Sequence, residues 1–180
     1  KDGFFVEFGA CDGISMSNTY LLEKKFNWNG ILSEPAKKFH TSLKKNRTTS
    51  IEKKCVWKKS NIDLDFNETE IGGLSTLKSF TENDFHSILR KKGVHYKVKT
   101  ISLEDLLLKH NAPYEVDYLS IDTEGSEYEI LKNFDFNKFI FKVITVEHNF
   151  THNREKILNL LTKKGYKRKF TNISHVDDWY

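Results

Sequence analysis

The run Phe4-Phe5-Val6-Glu7-Phe8, followed at once by Gly9-Ala10-Cys11-Asp12-Gly13, is the feature that most narrows the folds open to this chain. A short apolar run without strict alternation is the pattern of a strand buried on both faces, which requires a sheet with helices on either side. Glycines directly after such a strand let the backbone turn sharply and approach a ligand closely, leaving amide donors free at the start of the next helix. Ser17 offers a cap for that helix, which is expected to run to about Phe26.

The pattern then repeats. Gly30–Ser33 reads as a second buried strand stopped by Glu34-Pro35, and Phe39 with Leu43 gives one apolar face to a short helix. Ser50–Val56 is expected as a third strand, Asn61–Phe66 as an antiparallel piece, and Gly72-Gly73 as part of a mobile loop. Val98–Ile101 leads into a helix over Leu103–Lys109, and Val116–Ile121 into Asp122-Thr123-Glu124-Gly125 and a helix over Glu127–Asn133. Val143–Val146 precedes Glu147-His148-Asn149, Arg154–Lys164 is an amphipathic helix closed by Gly165, and Tyr166–Thr171 with His175–Trp179 suggests a terminal hairpin. Strands alternating with helices predict an α/β fold with a mostly parallel sheet and right-handed crossovers. Neither repeats nor a low-complexity linker divides the 180 residues, so 1–180 reads as one domain.

Composition excludes more than it proposes. There is no run of about 18 apolar residues, hence no membrane span. Cys11 and Cys55 are too few for a disulfide framework and lack metal-ligand spacing, which fits a reduced, cytoplasmic protein. The net charge of +4 comes mostly from scattered lysines; the four arginines are Arg47, Arg90, Arg154 and Arg168. Phosphate and base recognition favours the guanidinium fork, so nucleic acid is an unfavoured partner.

In sheets of this kind ligands bind beyond the carboxyl ends of the strands. A dinucleotide fingerprint G-x-G-x-x-G fails here, because Cys11 and Ile14 stand where its second and third glycines belong. An NAD-linked oxidoreductase is disfavoured accordingly. An acidic residue two before the first glycine suits a ligand carrying an amino acid, with Glu7 or Asp12 holding its ammonium group. Glu34 lies 21 residues beyond Gly13, where a carboxylate accepts hydrogen bonds from both ribose hydroxyls of an adenosine-type cofactor. Asp122 and Glu124 follow the Val116–Ile121 strand and point to the reactive end. Glu127 reads instead as a helix-start residue favourable to the macrodipole, with Ser126 or Thr123 as cap.

Glu147 and His148 end the next strand and converge with Asp122 if the two strands are neighbours. A group transfer to a hydroxyl needs in-line approach and a proton acceptor, and a carboxylate or His supplies it. A divalent metal such as Mg²⁺ on Asp122, Glu147 and Asn149 is the alternative, lowering the hydroxyl pKa. Phe80, Phe85, Tyr96 and Trp179 either line an acceptor pocket or belong to the core, the latter being the commoner fate of such residues.

In order along the chain, these blocks resemble the FkbM-type methyltransferases dependent on S-adenosylmethionine (SAM). They are Gly3–Gly13, Ser17-Asn18-Thr19-Tyr20, Trp28–Ile31, Glu34-Pro35, Lys45-Asn46-Arg47, Leu103–Leu107, Asp117–Gly125, Glu147-His148-Asn149, Gly165-Tyr166 and Asp177–Tyr180. The resemblance implies a Rossmann-like Class I fold binding SAM and methylating a hydroxyl on a small-molecule or glycan acceptor: a sugar, lipid or secondary metabolite. It implies that Glu7, Gly9, Asp12 and Gly13 hold the methionine part, with Phe8 and Ala10 in the same turn and Asn18 and Thr19 nearby. Glu34, beside Pro35, would hold the ribose; Asp122 and Glu124 would lie at the methyl-transfer end. The chain departs from the family in lacking the lead-in with a Ser-Gln…Gln-Asp pattern, a segment expected to help cover the cofactor. It also lacks the usual acid after the third strand, so adenine is expected against backbone and apolar contact around Val56. A non-catalytic SAM-binding module and an RNA methyltransferase are the competing readings.

Overall fold

The computed structural model describes residues 2–82 and 84–180. A six-stranded sheet carries β1 (Phe4–Phe8), β2 (Asn29–Ser33), β3 (Ser50–Glu52), β8 (Glu115–Ile121), β9 (Ile140–Glu147) and β10 (Asp177–Trp179) in the order β10-β9-β8-β1-β2-β3. All neighbours are parallel except β10, which runs antiparallel to β9. A second sheet, β4-β7-β5-β6, is built from β4 (Cys55–Trp57), β5 (Asp63–Glu68), β6 (Thr76–Leu77) and β7 (Val94–Ser102). The α/β class with a mostly parallel sheet is therefore as expected.

Both faces of the central strands are buried, as the unbroken apolar runs demand. Val6, Phe8, Leu119, Ile121, Ile144 and Val146 face one core with Leu106 and Leu107 of α4 (Leu103–Lys109), Ile130 and Leu131 of α5 (Glu127–Lys132) and Ile157 and Leu161 of α6 (Asn153–Lys163). Phe5, Leu32 and Tyr118 face the other, against Leu43 of α2 (His40–Asn46) and Leu22 of α1 (Tyr20–Phe26). A third cluster of Ala36, Cys55, Trp57, Phe66, Leu77 and Val98 belongs to the smaller sheet. Helix α4 begins at its expected residue because Ser102 Oγ accepts the Asp105 amide at 3.1 Å, an N-cap that competes for a donor the helix cannot satisfy. Gly165 closes α6 at φ +93°.

Several expectations need correction. The single strand over Ser50–Val56 is two strands in different sheets. Glu52 Oε1 accepts the amides of Lys53 and Lys54 at 2.9 and 3.0 Å, turning the chain out of one sheet so that Cys55 pairs with Thr100 of the other. Strand β7 spans nine residues, not four, because its first half pairs with β5. Gly72–Leu74 forms a 3-10 turn leading to β6, and a four-residue helix α3 (Ser87–Arg90) follows. The terminal hairpin is reduced to β10 and a single bridge between Lys169 and Trp179. Ser17 caps no helix; α1 starts at Tyr20, because the Ser17 hydroxyl is directed to Glu7.

Candidate functional site

The carboxyl ends of β2, β1, β8 and β9 lie side by side, and the residues after them form the site. Gly9 adopts φ +73°, and a Cβ on it would fall 2.1 Å from the carbonyl oxygen of Asp122. Only glycine allows the two strand exits to pass so closely. Its amide and that of Ala10 donate to Ser33 O at 3.0 and 3.3 Å, and Cys11 N donates to Glu34 Oε2 at 2.8 Å. Glu34 Oε1 accepts Ala36 N at 2.7 Å. A carboxylate has about four lone-pair positions, so Glu34 retains acceptor capacity after these two bonds. Burial is the main cause that pushes its carboxyl up to about 7, the two amides opposing. Phe8 and Ala10 are buried beneath this turn, and Pro35 continues it.

Glu7 is occupied differently. Its Oε1 accepts Asn18 N at 2.8 Å, and its Oε2 accepts Ser17 Oγ at 3.0 Å and Thr19 Oγ1 at 2.5 Å. Arg47, fully buried, stands 3.7 Å away and donates to Glu23 Oε2 (2.6 Å), Gly13 O (3.1 Å), Ser17 Oγ (3.1 Å) and Thr19 Oγ1 (2.9 Å). Asn18 Nδ2 donates to Ser120 Oγ at 2.9 Å. Asp12 is likewise engaged: Oδ1 accepts Ile14 N and Ser15 N at 2.9 and 2.7 Å, and Oδ2 accepts Ser15 Oγ at 2.9 Å. Both carboxylates expected to receive an ammonium group are thus bonded to the loop that carries them. Their first role is to shape it.

Asp122, Glu124 and Glu147 offer carboxylate oxygens that all lie within 4.8 Å of one another. They meet because β8 and β9 are in register, Ile121 opposite Val146. Burial is the leading cause that raises all three carboxyls, Asp122 to about 7 and Glu124 to about 8, with each charge disfavouring the next. Asp122 and Glu147 are within hydrogen-bonding reach if one holds a proton, and no fixed donor among the described residues meets Glu147 Oε2. Three such oxygens can hold a divalent cation or can share protons. The buried guanidinium of Arg90 already pairs with Glu124 Oε2 at 2.6 Å and supplies one positive charge to the cluster. Asn149, expected among metal ligands, instead directs its Nδ2 to Glu124 Oε2 at 3.1 Å. Glu127 accepts Thr123 N and Gly125 N at 3.0 and 2.9 Å, fixing the turn as a helix-start carboxylate should; the Ser126 hydroxyl bonds Thr123 and caps nothing.

His148 is buried beside this cluster, but Nδ1 accepts Phe150 N at 3.1 Å, which puts the proton of the neutral ring on Nε2. Nε2 faces Asp178 Oδ1 at 3.7 Å, and Asp178 is held by Arg154 (2.8 and 2.8 Å) and Arg168 (3.3 Å). Burial pushes the His148 pKa down. The lone pair of the neutral ring is thus engaged by the Phe150 amide. Val56 lies in the main core, paired with Ile101, rather than on an open wall. Of the aromatic residues, Phe80 and Tyr96 pack on the third cluster and Trp179 stacks on Tyr118, whereas Phe85 is exposed.

A cavity of ≈110 Å³ opens beside Glu147, walled by Asp84, His148, Asn149, Thr151, His152 and Asn153. A larger one of ≈290 Å³, between α4 and α5 under Trp57, touches none of Glu7–Gly13, Glu34, Asp122, Glu124 or Glu147. Sequence reasoning missed Arg90, a participant in this site. The signal was present: in a lysine-rich chain, all four arginines fork onto buried carboxylates, Arg47 on Glu23, Arg90 on Asp84 and Glu124, Arg154 and Arg168 on Asp178.

The glycine turn after β1, the carboxylate after β2 and the acids that follow β8 and end β9 thus stand at one edge of the α/β sheet. Residues 7–168 match the family described as the Methyltransferase FkbM domain, and the chain belongs to that family. Nothing matches among curated proteins or solved structures. No helix among the described residues is long and apolar enough to cross a membrane.

Proposed function

We propose that residues 1–180 act as one Rossmann-like Class I domain, a cytoplasmic SAM-dependent O-methyltransferase acting on a hydroxyl of a sugar, lipid or secondary metabolite. The sheet order β10-β9-β8-β1-β2-β3 and the family match support it. The observation that carries the chemistry is the meeting of Asp122 and Glu147 as carboxylates with one proton to share and an unpartnered oxygen. The residues present fit the cofactor: Glu34 has lone pairs left for ribose hydroxyls, and the Gly9 turn keeps the backbone low beside Asp122. When bound, SAM supplies an electrophilic methyl group on a sulfonium, whose positive charge suits an acidic surround.

The acceptor enters the cavity between Asp84 and the loop 147–153. Asp122 or Glu147 takes the hydroxyl proton as the new bond forms, and a carboxyl pushed up to about 7 is matched to that task near neutral pH. Glu124, held by Arg90 and Asn149, orients the turn that carries Asp122. Calorimetric titration with SAM and its demethylated product, then an acceptor screen with and without Mg²⁺, tests the reading. Asp122→Ala is expected to abolish turnover in a folded protein; full activity in that variant refutes the assigned role.

A further inference from the structure

Between β5 and β7 the chain lays a strap across the site, residues 69–82 and 84–93. In chain order it crosses every strand exit named above. Gly72 lies against Phe39, so closely that a Cβ would sit 2.1 Å from its ring, and Gly73 lies over Cys11, with Sγ 3.8 Å from where a Cβ would stand. Thr76 Oγ1 donates to Glu124 O at 2.9 Å, Phe80 covers Gly125, and Asp84 walls the cavity beside Glu147. The strap is thinly packed: Leu77 is buried, but Ile71, Phe85, Ile88 and Leu89 face solvent.

Strand β6 within it pairs with β5, and Asn67 Nδ2 donates to Arg90 O at 2.9 Å, but one side chain joins its two limbs to the acidic turn. Arg90 is fully buried and donates Nε to Leu74 O at 2.9 Å, Nη1 to Asp84 Oδ1 at 2.7 Å and Nη2 to Glu124 Oε2 at 2.6 Å. It joins the two limbs of the strap to each other and both to the acidic turn. The ≈110 Å³ cavity beside Glu147 and the ≈290 Å³ cavity under Trp57 are lined by neither Glu7–Gly13 nor Glu34, the residues over which the first limb of the strap lies.

We propose that the strap is a lid over the cofactor groove, latched by the Arg90–Glu124 pair, and that it lifts to admit cofactor. The inference rests on the SAM-binding reading. Arg90 is a positioning residue: latched, it holds Glu124 and hence the Asp122 turn; unlatched, it frees the groove. Partner loss in a buried ion pair is strongly destabilising, so the latch governs how often the strap opens.

Gly73→Cys places a thiol beside Cys11 and permits a reversible lock. Oxidised, this variant is expected to take up S-adenosylhomocysteine about a hundredfold more slowly, and dithiothreitol is expected to restore the rate. Uptake at the unlocked rate in the crosslinked protein overturns the lid, and failure to crosslink overturns the packing it rests on. Separately, Arg90→Met is expected to speed hydrogen exchange of the strap amides by on the order of a hundredfold while β1 and β8 stay protected. Unchanged strap exchange overturns the latch. If the reduced protein does not bind S-adenosylhomocysteine at all, the cofactor reading falls, and the exchange experiment alone decides whether Arg90 latches the strap.

Discussion

Two buried ionic networks flank the glycine turn, and they are built on opposite principles. Around Arg47 every group is spent: Glu7 accepts from two hydroxyls and an amide, and Glu23 accepts the guanidinium, Lys24 and Thr48. Glu23 is held down to about 2, desolvation being outweighed by those partners, whereas burial still raises Glu7 against its three hydrogen bonds and Arg47. Around Asp122 the partners are fewer. Of its three carboxylates only Glu124 pairs with Arg90, Glu147 keeps a buried oxygen without a partner among the described residues, and burial raises every carboxyl. A satisfied network makes a rigid scaffold, whereas an under-satisfied one costs stability and persists where chemistry needs spare protons.

The largest effect should come from breaking the satisfied side. Arg47→Met leaves Glu7 without a cation and Glu23 with Lys24 alone, and is expected to cost about 3–5 kcal/mol, read from the urea unfolding midpoint. The acidic side should respond to pH with the opposite sense. Asp122 titrates at about 7 in the fold against an ordinary 3.8, so its proton stabilises the folded state fully below pH 3.8. That contribution vanishes as pH rises through 7, and Glu34 adds a loss in the same direction. Unfolding free energy measured from pH 4 to 8 should therefore fall in the native protein and fall less in Asp122→Asn.

Two smaller effects sharpen the division. Glu34→Gln is expected to weaken binding of S-adenosylhomocysteine about tenfold in calorimetric titration, because one ribose acceptor becomes a donor. Asp12→Ala, on an exposed loop whose own amides it caps, should cost about 1 kcal/mol of stability in the same urea titration and change cofactor affinity less than Glu34→Gln.

Much of this was legible in the residues. Phe4–Phe8, Leu103–Lys109 and the convergence of Asp122 with Glu147 follow from burial patterns and from where polar residues stand after strands. The occupation of Glu7 was not, because Arg47 reaches it from a helix end forty residues away. The strap was equally hidden: Gly72-Gly73 marks a turn, but only the folded chain shows Arg90 closing it onto Glu124. His148 was read as a base from its place beside Glu147, and that place is correct. What sequence could not show was the Phe150 amide that spends its lone pair.

The contrast between the two networks is tested most directly by the urea unfolding midpoint of Asp122→Asn at pH 8, beside the native protein. A higher midpoint is expected for the variant, because a half-buried charge is removed from a cluster that repels it. A lower midpoint would mean that Asp122 belongs to the scaffold, as Glu7 does, and would contradict the division on which the proposed chemistry stands.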